Sequence, residues 1–421
     1  MKHQPIAKLS IPNRCPFLGS REEFMGLRGA EIAARVLHKH LERNPDAEAH
    51  LSQCYVAKGA YSVYSNDYAR EVLRYAGLSK HLRTANFGGG ALSAATALQH
   101  SLLGFVRDPL AQTLLIGVEA SSESPLLGVL DAQKAMHKIS TAKSVAAKMS
   151  LFKNLRASIW KQSKGGFQSV RSLKRLGREL QELATQTASS PLQLRQTVLT
   201  SQRNWKNSRV ILEKQRSLVP IYSTKAGKVS ALHADEVTSV LGEQQHVEYH
   251  EQVSPRRDGA AAMIVYGPGQ EGQRSLGNHL FLVDYANASP SDPAYRWNHV
   301  MSAVTALLEK HDLRFADLDV VEVQELSPLH TLSLFTAFSQ HFGEHRGYEP
   351  SMSLYNPYGG CLAFGFYGAA TLFRQFEHIY IALSQKKRGW GLAVVMNPGR
   401  ESSLFLLHLN QGNLRHGGSS Q

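Results

Sequence analysis

Thiols are the side chains here best suited to covalent chemistry, and there are three: Cys15, Cys54 and Cys361. A cysteine acts as a nucleophile through its thiolate, which needs a helix N-terminus, a cation or a metal beside it. No pair of the three has metal-ligand spacing, and so few cysteines do not make a disulfide scaffold. Neither a metal site nor an oxidised extracellular frame is expected; the reducing cytoplasm is the expected compartment. Residues Met1 to Leu18 contain no continuous apolar run of the signal-peptide kind. No apolar stretch approaches the roughly 20 residues a membrane span requires.

The second chemical feature is charge. The 421 residues carry 47 Lys+Arg and 34 Asp+Glu, a formal net charge of +13. Between Gln133 and Ser230 there are 20 basic and 3 acidic residues, so this segment is net +17 and the remainder −4. A slightly acidic body with a strongly basic insert points to an anionic partner: a phospholipid surface, nucleic acid, or a phosphorylated ligand such as coenzyme A. Within the insert, Val145, Met149, Phe152, Leu155 and Ile159 recur at helical spacing among lysines. Val170, Leu173, Leu176, Leu180 and Leu183 repeat the pattern. Ser190-Pro191 starts a third helix, with Leu194, Val198, Trp205 and Leu212 along one face. The stripes either pack on the body or, for the first helix with Phe152, Ile159 and Trp160 beside its lysines, lie on a membrane surface. No helix-turn-helix, zinc-finger or RNP-type signature accompanies the charge, so nucleic acid is not the expected partner.

Positioning such groups falls to a body that is long enough for two or three domains, or one duplicated fold. Hydrophobic residues make up 43 % of the chain, enough for a sizeable core. Two stretches read alike. Phe87-Gly88-Gly89-Gly90 precedes an Ala/Leu-rich segment, Ala91 to Leu103, then an apolar strand, Thr113 to Val118, ending in Glu119-Ala120-Ser121-Ser122. Tyr358-Gly359-Gly360 precedes Cys361 to Phe376, then a strand, Gly391 to Met396, ending in Asn397-Pro398-Gly399. Continuously apolar strands indicate a sheet covered on both faces, and helices apolar all round are buried. Other expected elements are strands at Val56 to Val63, Ala260 to Tyr266, Leu280 to Ala286 and Asp319 to Val323, and a helix at Trp297 to His311. Gly267-Pro268-Gly269 reads as the linker between halves.

These residues resemble the thiolase superfamily, specifically 3-ketoacyl-CoA thiolases of the trifunctional β-oxidation type, over nearly the whole chain. Ile116-Gly117-Val118-Glu119 with Ser121-Ser122 looks like the thiolase GVESxS segment, and Asp258-Gly259-Ala260-Ala261 like its DGAA strand. Glu322-Val323-Gln324-Glu325 is similar to the strand ending in the Asn/His-Glu-Ala-Phe motif. Asn356, Gly359, Gly360, Ala363, Gly365, Ala370, Thr371 and Arg374 match the framework of the NxNGGxxAxGHPxGATGAR motif. The resemblance implies a duplicated five-layered α-β-α-β-α fold of the α/β class with a basic helical loop domain. Its halves would be residues 1–130 plus 235–268 and 269–410, the loop domain 131–234, and 411–421 a flexible tail.

The family's chemistry needs a nucleophilic cysteine at a helix N-terminus, a neighbouring histidine, a second cysteine as acid/base, and an oxyanion site of N–H groups and a positioned water. At the matching positions this sequence has Gly88 for the nucleophile and Phe366 for the histidine, with Tyr367 for the following proline. Met396 stands for the acid/base cysteine and Gln324 for the motif Asn/His. Loss of one oxyanion donor costs roughly 2.7–4 kcal/mol, and loss of a group acting as part of a catalytic unit costs on the order of 10⁶ in rate. Thiolysis and condensation are therefore not expected.

Two residues are weak substitutes: Cys361, in the glycine-rich segment, and His330, after the Gln324-Glu325 strand end. Cys361 also fits a small buried contact, and His330 a packed or surface histidine. The expected protein is a non-catalytic partner or scaffold subunit in acyl-CoA metabolism, binding no resident cofactor, with a coenzyme A thioester as possible ligand. By the resemblance it would pair as a homodimer, or as a heterodimer with an active thiolase-type subunit, and sit in the cytoplasm with peripheral membrane contact through the insert. The alternatives are an acyltransferase or hydrolase with relocated machinery, and an acyl-CoA- or membrane-binding module.

Overall fold

The computed structural model describes residues 4–15, 27–59, 67–78, 81–120, 258–269, 279–290, 297–325, 354–358, 366–397 and 401–410, with short pieces at 138–139, 142, 144, 147–151, 153, 223–224, 227–228, 334, 337–338, 340–342 and 360–361. Most of the basic insert, and with it the second and third expected helices, lies outside the described residues. The pieces 147–151 and 153, on the first expected stripe, are helical.

The first half is built from β1 (Ala7–Ser10), β2 (Asn13–Arg14), α1 (Gly29–Glu42), β3 (Leu51–Lys58), α2 (Tyr68–Tyr75), β4 (Arg83–Phe87), α3 (Ser93–Phe105), β5 (Gln112–Glu119) and β6 (Gly259–Tyr266). The second contains β7 (His279–Ala288), α4 (Asn298–Glu309), β8 (Val320–Val323), α5 (Thr371–Lys386), β9 (Arg388–Met396) and β10 (Ser402–Asn410). Strands β5 and β6 are buried at every position, as sheets covered on both faces require.

The duplication is a duplication of topology. In the first half β4, β3 and β5 run parallel, with Val56 opposite both Asn86 and Ile116. β5 then pairs antiparallel with β6, and β6 with β1. In the second half Tyr355 bridges Val321 in parallel, β8 pairs parallel with β9, β9 antiparallel with β10, and β10 with β7. Numbered by their order along each half, both sheets run 3-2-4-5-1. β1 bonds to both β6 and β7, so hydrogen bonding is continuous through a ten-stranded sheet.

Five layers follow from what packs where. α1 lies on β5 and β6, with α2 beside it; α4 lies on β7 and β10. Between the two sheets runs α5, which packs on β8 and β9 from one side and on β2 and β6 from the other. Nine successive residues of α5, Thr371 to Ile379, are buried, which only a helix enclosed on all sides shows. The glycine of the Gly117-Val118-Glu119 segment has its reason here. A Cβ at Gly117 would stand 2.5 Å from the Phe373 ring and 2.9 Å from the Ala369 carbonyl, so only hydrogen lets α5 reach β5.

Several expected boundaries are corrected. The strand placed at Val56 to Val63 runs Leu51–Lys58, because the pairing with β5 begins at Leu51. Of the helix placed at Cys361 to Phe376, Cys361 is helical, 362–365 lie outside the described residues, and α5 itself begins at Thr371 after a 3-10 turn, Gly368–Ala370. Gly359-Gly360 is therefore not the counterpart of the Gly88-Gly89-Gly90 turn. α5 is also not uniformly apolar: Arg374, Gln375, Glu377 and His378 are all buried within it. Each has a partner. Gln375 Nε2 donates to the Val394 carbonyl at 2.9 Å, Glu377 receives Arg14 Nε at 2.7 Å, and Glu322 faces Arg374 and His378 at 3.5 and 3.3 Å.

Candidate functional site

The C-terminal ends of the parallel strands of both halves converge with the N-terminal turns of α3 and α5, the place where α/β sheets bind ligands. The two turns are superposable in kind. α3 follows the 3-10 turn Gly90–Leu92 and α5 the 3-10 turn Gly368–Ala370; the residue before each helix, Leu92 and Ala370, has φ −78° and ψ −7°. Counting back, Gly90 corresponds to Gly368 and Gly88 to Phe366. At the strand ends Glu119 corresponds to Met396, each pairing with the first residue of the following antiparallel strand. The positions that the sequence singles out as Gly88 and Phe366 are thus the same place in the two halves.

Gly88 is exposed, and no described atom lies within 4 Å of where a Cβ would stand. Its φ is not in the left-handed region, so nothing in backbone or surroundings demands glycine. Phe366 is half-buried and packs against the core, Tyr367 behind it is fully buried, and Met396 is buried at the end of β9. The α3 turn is tied to the end of β9 by Asn397, whose Nδ2 donates to the Gly89 carbonyl at 3.2 Å. Glu119 closes the floor: its carboxylate fills the notch between Gly59 and Gly368, where a Cβ on either glycine would strike it. Lys58, the last residue of β3, holds its ammonium 3.9 Å from the centroid of the Tyr68 ring.

Gln324 is fully buried and its side-chain amide is spent on backbone. Nε2 donates to the Met396 carbonyl at 2.6 Å and Oε1 accepts from Met396 N–H at 3.2 Å. This continues the β8–β9 ladder one step past β8 and commits the carbonyl oxygen and one amide proton of Gln324 to the Met396 backbone. Glu325 and Asn356 form a second buried clasp. Asn356, at φ 43°, closes both of its amide atoms on Val323 and donates from Nδ2 to Glu325 Oε1 at 2.8 Å. A Cβ at Gly360 would overlap the Glu325 carboxylate, which explains a glycine there.

Cys361 is fully buried, its Sγ 3.7 Å from Arg374 Nη2, and burial pushes its thiol pKa up despite that cation. Cys15 bonds into β6, accepting from Ala260 N–H at 3.0 Å, and its thiol is pushed up to about 12 by burial; Cys54, inside β3, likewise. His330 lies outside the described residues. One constellation was not foreseen: Ser10 Oγ lies 3.1 Å from His40 Nε2, and His40 Nδ1 lies 2.8 Å from Asn13 Oδ1. It has the order of a hydrolase triad but is buried throughout, and Ser10 Oγ already accepts from Ile264 N–H at 2.7 Å. A neutral His40 with its proton on Nδ1 satisfies every bond, so this is a structural tie between β1, β2 and α1. Spacing along the chain gave no signal for it, since Ser10, Asn13 and His40 meet only through folding.

What the hollow offers chemically is two helix N-terminal turns, whose N–H groups favour anions and carbonyl oxygens. The described charged side chains nearest the two turns include Lys58 and Glu119. No family model and no curated protein matches the sequence. The architecture is nonetheless that of the thiolases. The chain is similar to the crystal structure of the Bacillus anthracis acetyl-CoA acetyltransferase, with a TM-score of 0.68 over 96 % of this chain and 100 % of that one, at 14 % sequence identity. At that identity the likeness is one of fold.

Proposed function

We propose that this chain is a thiolase-fold protein without thiolysis or condensation activity, serving as a non-catalytic partner or scaffold subunit in acyl-CoA metabolism. The observation that carries the reading is the state of its thiols. All three are buried, and burial holds each above the ordinary thiol pKa. A protonated, enclosed thiol cannot take an acyl group. Support also comes from the helix-terminal positions, which hold Gly88 and Phe366, from Met396 at the strand end, and from the engaged amide of Gln324. The hollow can still receive a coenzyme A thioester as ligand, its carbonyl directed at the helix N-termini. The partner is a second copy or an active thiolase-type subunit, and the basic insert docks the pair on an anionic membrane surface from the cytoplasmic side.

Two measurements test this. Tagged protein recovered from its native cell should bring down an active acyl-CoA enzyme, and deletion should lower that enzyme's activity. A chain recovered only as a self-dimer, whose loss leaves every acyl-CoA activity unchanged, would refute the partner role. Purified chain given 3-ketoacyl-CoA and coenzyme A should form no acyl-CoA above background; turnover would refute the loss of chemistry.

A further inference from the structure

A second concavity lies at the opposite end of the first half. It has a volume of about 590 Å³ and is lined by Ser52, Gln53 and Tyr55 of β3, Arg83 of β4, His100, Leu103 and Gly104 of α3, and Arg107 and Asp108 in the turn after it; the Asp108 carboxylate accepts from Leu110 N–H at 3.1 Å. Its lining begins at His100, midway along α3, and Gly104 stands about 16 Å along the helix from its first residue. The size is that of pockets that take small organic molecules.

Three features define what would fit. Arg83 and Arg107 are exposed at the rim, and neither guanidinium has a carboxylate partner within ion-pair distance among the described residues. Guanidinium groups present paired N–H donors that match carboxylate and phosphate oxygens. Two lining rings are aromatic: Tyr55 and His100, centroids 5.4 Å apart, with His100 at the surface and Phe87 packed behind both at the same spacing. At the base, Gln53 Oε1 is buried without a hydrogen bond, an acceptor that a buried group keeps only at a cost. Gly104 opens the helix side: a Cβ there would meet only the Gln53 amide, at 3.6 Å.

We propose that this pocket is a binding site for a small organic anion, a carboxylate or phosphate carried on a flat ring. The anionic group sits between Arg83 and Arg107, the ring lies along His100 and Tyr55, and a donor on the ligand reaches Gln53 Oε1. The site is independent of the acyl-CoA reading, since it shares no residue with the hollow.

Calorimetric titration of the full chain with phenyl phosphate, benzoate, inorganic phosphate and phenol tests it. Phenyl phosphate or benzoate binds one per chain, and the tighter of the two names the anionic group. Inorganic phosphate and phenol, each half of the ligand, bind at least tenfold more weakly. Arg83→Gln and Arg107→Gln each weaken the bound probe at least tenfold, His100→Ala several-fold, and added salt weakens it in the wild type because exposed charges are screened. Gly104→Leu fills the pocket and removes binding with both arginines still in place. Absence of binding by both phenyl phosphate and benzoate at millimolar concentration overturns the proposal. So does binding that is unchanged in the two arginine variants and in Gly104→Leu, each shown to be folded by circular dichroism.

Discussion

Gly88 offers no reactive side chain, and no described atom closes over it. Because its surroundings among the described residues are open and its backbone is ordinary, Gly88→Cys should fold with a stability change under about 1 kcal/mol. The new thiol stands at a helix N-terminus, which lowers thiol pKa. It should therefore react with a disulfide reagent in the native protein at one equivalent, whereas the wild-type chain, with all its thiols buried, reacts only on unfolding. It should not confer thiolysis, since Phe366 and Met396 supply no proton transfer; measurable thiolysis in Gly88→Cys would show that other groups do. His40 yields a prediction in pH. Burial lowers its pKa from 6.5 to about 3, so the folded state resists a proton that the unfolded chain accepts. Its contribution is complete above pH 6.5 and is lost as pH falls from there toward 3, on the order of 5 kcal/mol in all. Denaturant unfolding across that range should show the fall, and His40→Gln should flatten it.

At the scale of elements, the two helix-initiating turns differ in what their glycines do. Gly368, at φ 45°, holds its Cα against the Glu119 carboxylate, and a methyl there has no room. Gly368→Ala adds left-handed backbone strain to an overlap and should cost at least about 2 kcal/mol, read from the denaturation midpoint. A cost below about 0.5 kcal/mol would mean that Glu119 swings away freely. α5 is the other telling element. Its burial on all sides looks hydrophobic by position, yet its partners are polar: Arg374 and His378 on Glu322, Gln375 on strand carbonyls, Glu377 on Arg14. Desolvation, opposed by Arg374, raises the Glu322 carboxyl well above its usual range. Such a network ties strand to helix by geometry that apolar side chains would not specify.

Among the joins between the halves are β1, the packing of α5 on β2 and β6, and a buried ion pair, Arg14 with Glu377, that links the first half to the central helix. Removing one partner leaves a buried charge alone. Arg14→Ala should destabilise by about 3–5 kcal/mol, and Arg14→Ala with Glu377→Ala by less than the sum of the singles. Additive losses in a thermal or denaturant series would mean the two residues act separately.

Much of this plan was legible in the chain. Strands buried on both faces leave runs of apolar residues, so β5, β6 and β9 stand out, and the glycine turn before α3 follows from backbone needs that act locally. The boundary of α5 was not legible, because Cys361 to Phe376 is as apolar and glycine-rich as a helix start. Only its packing against β5 and β8 sets where it begins. Composition and order along the chain were enough to indicate a duplicated α/β fold, since apolar runs and glycine turns are properties of residue type. That Gly88 and Phe366 occupy one place in two halves, that Gln324 is already bonded to Met396, that every thiol is enclosed, and that two arginines flank an aromatic pocket are facts about residues far apart in sequence. Long-range packing alone brings them together, so only the tertiary structure could decide them.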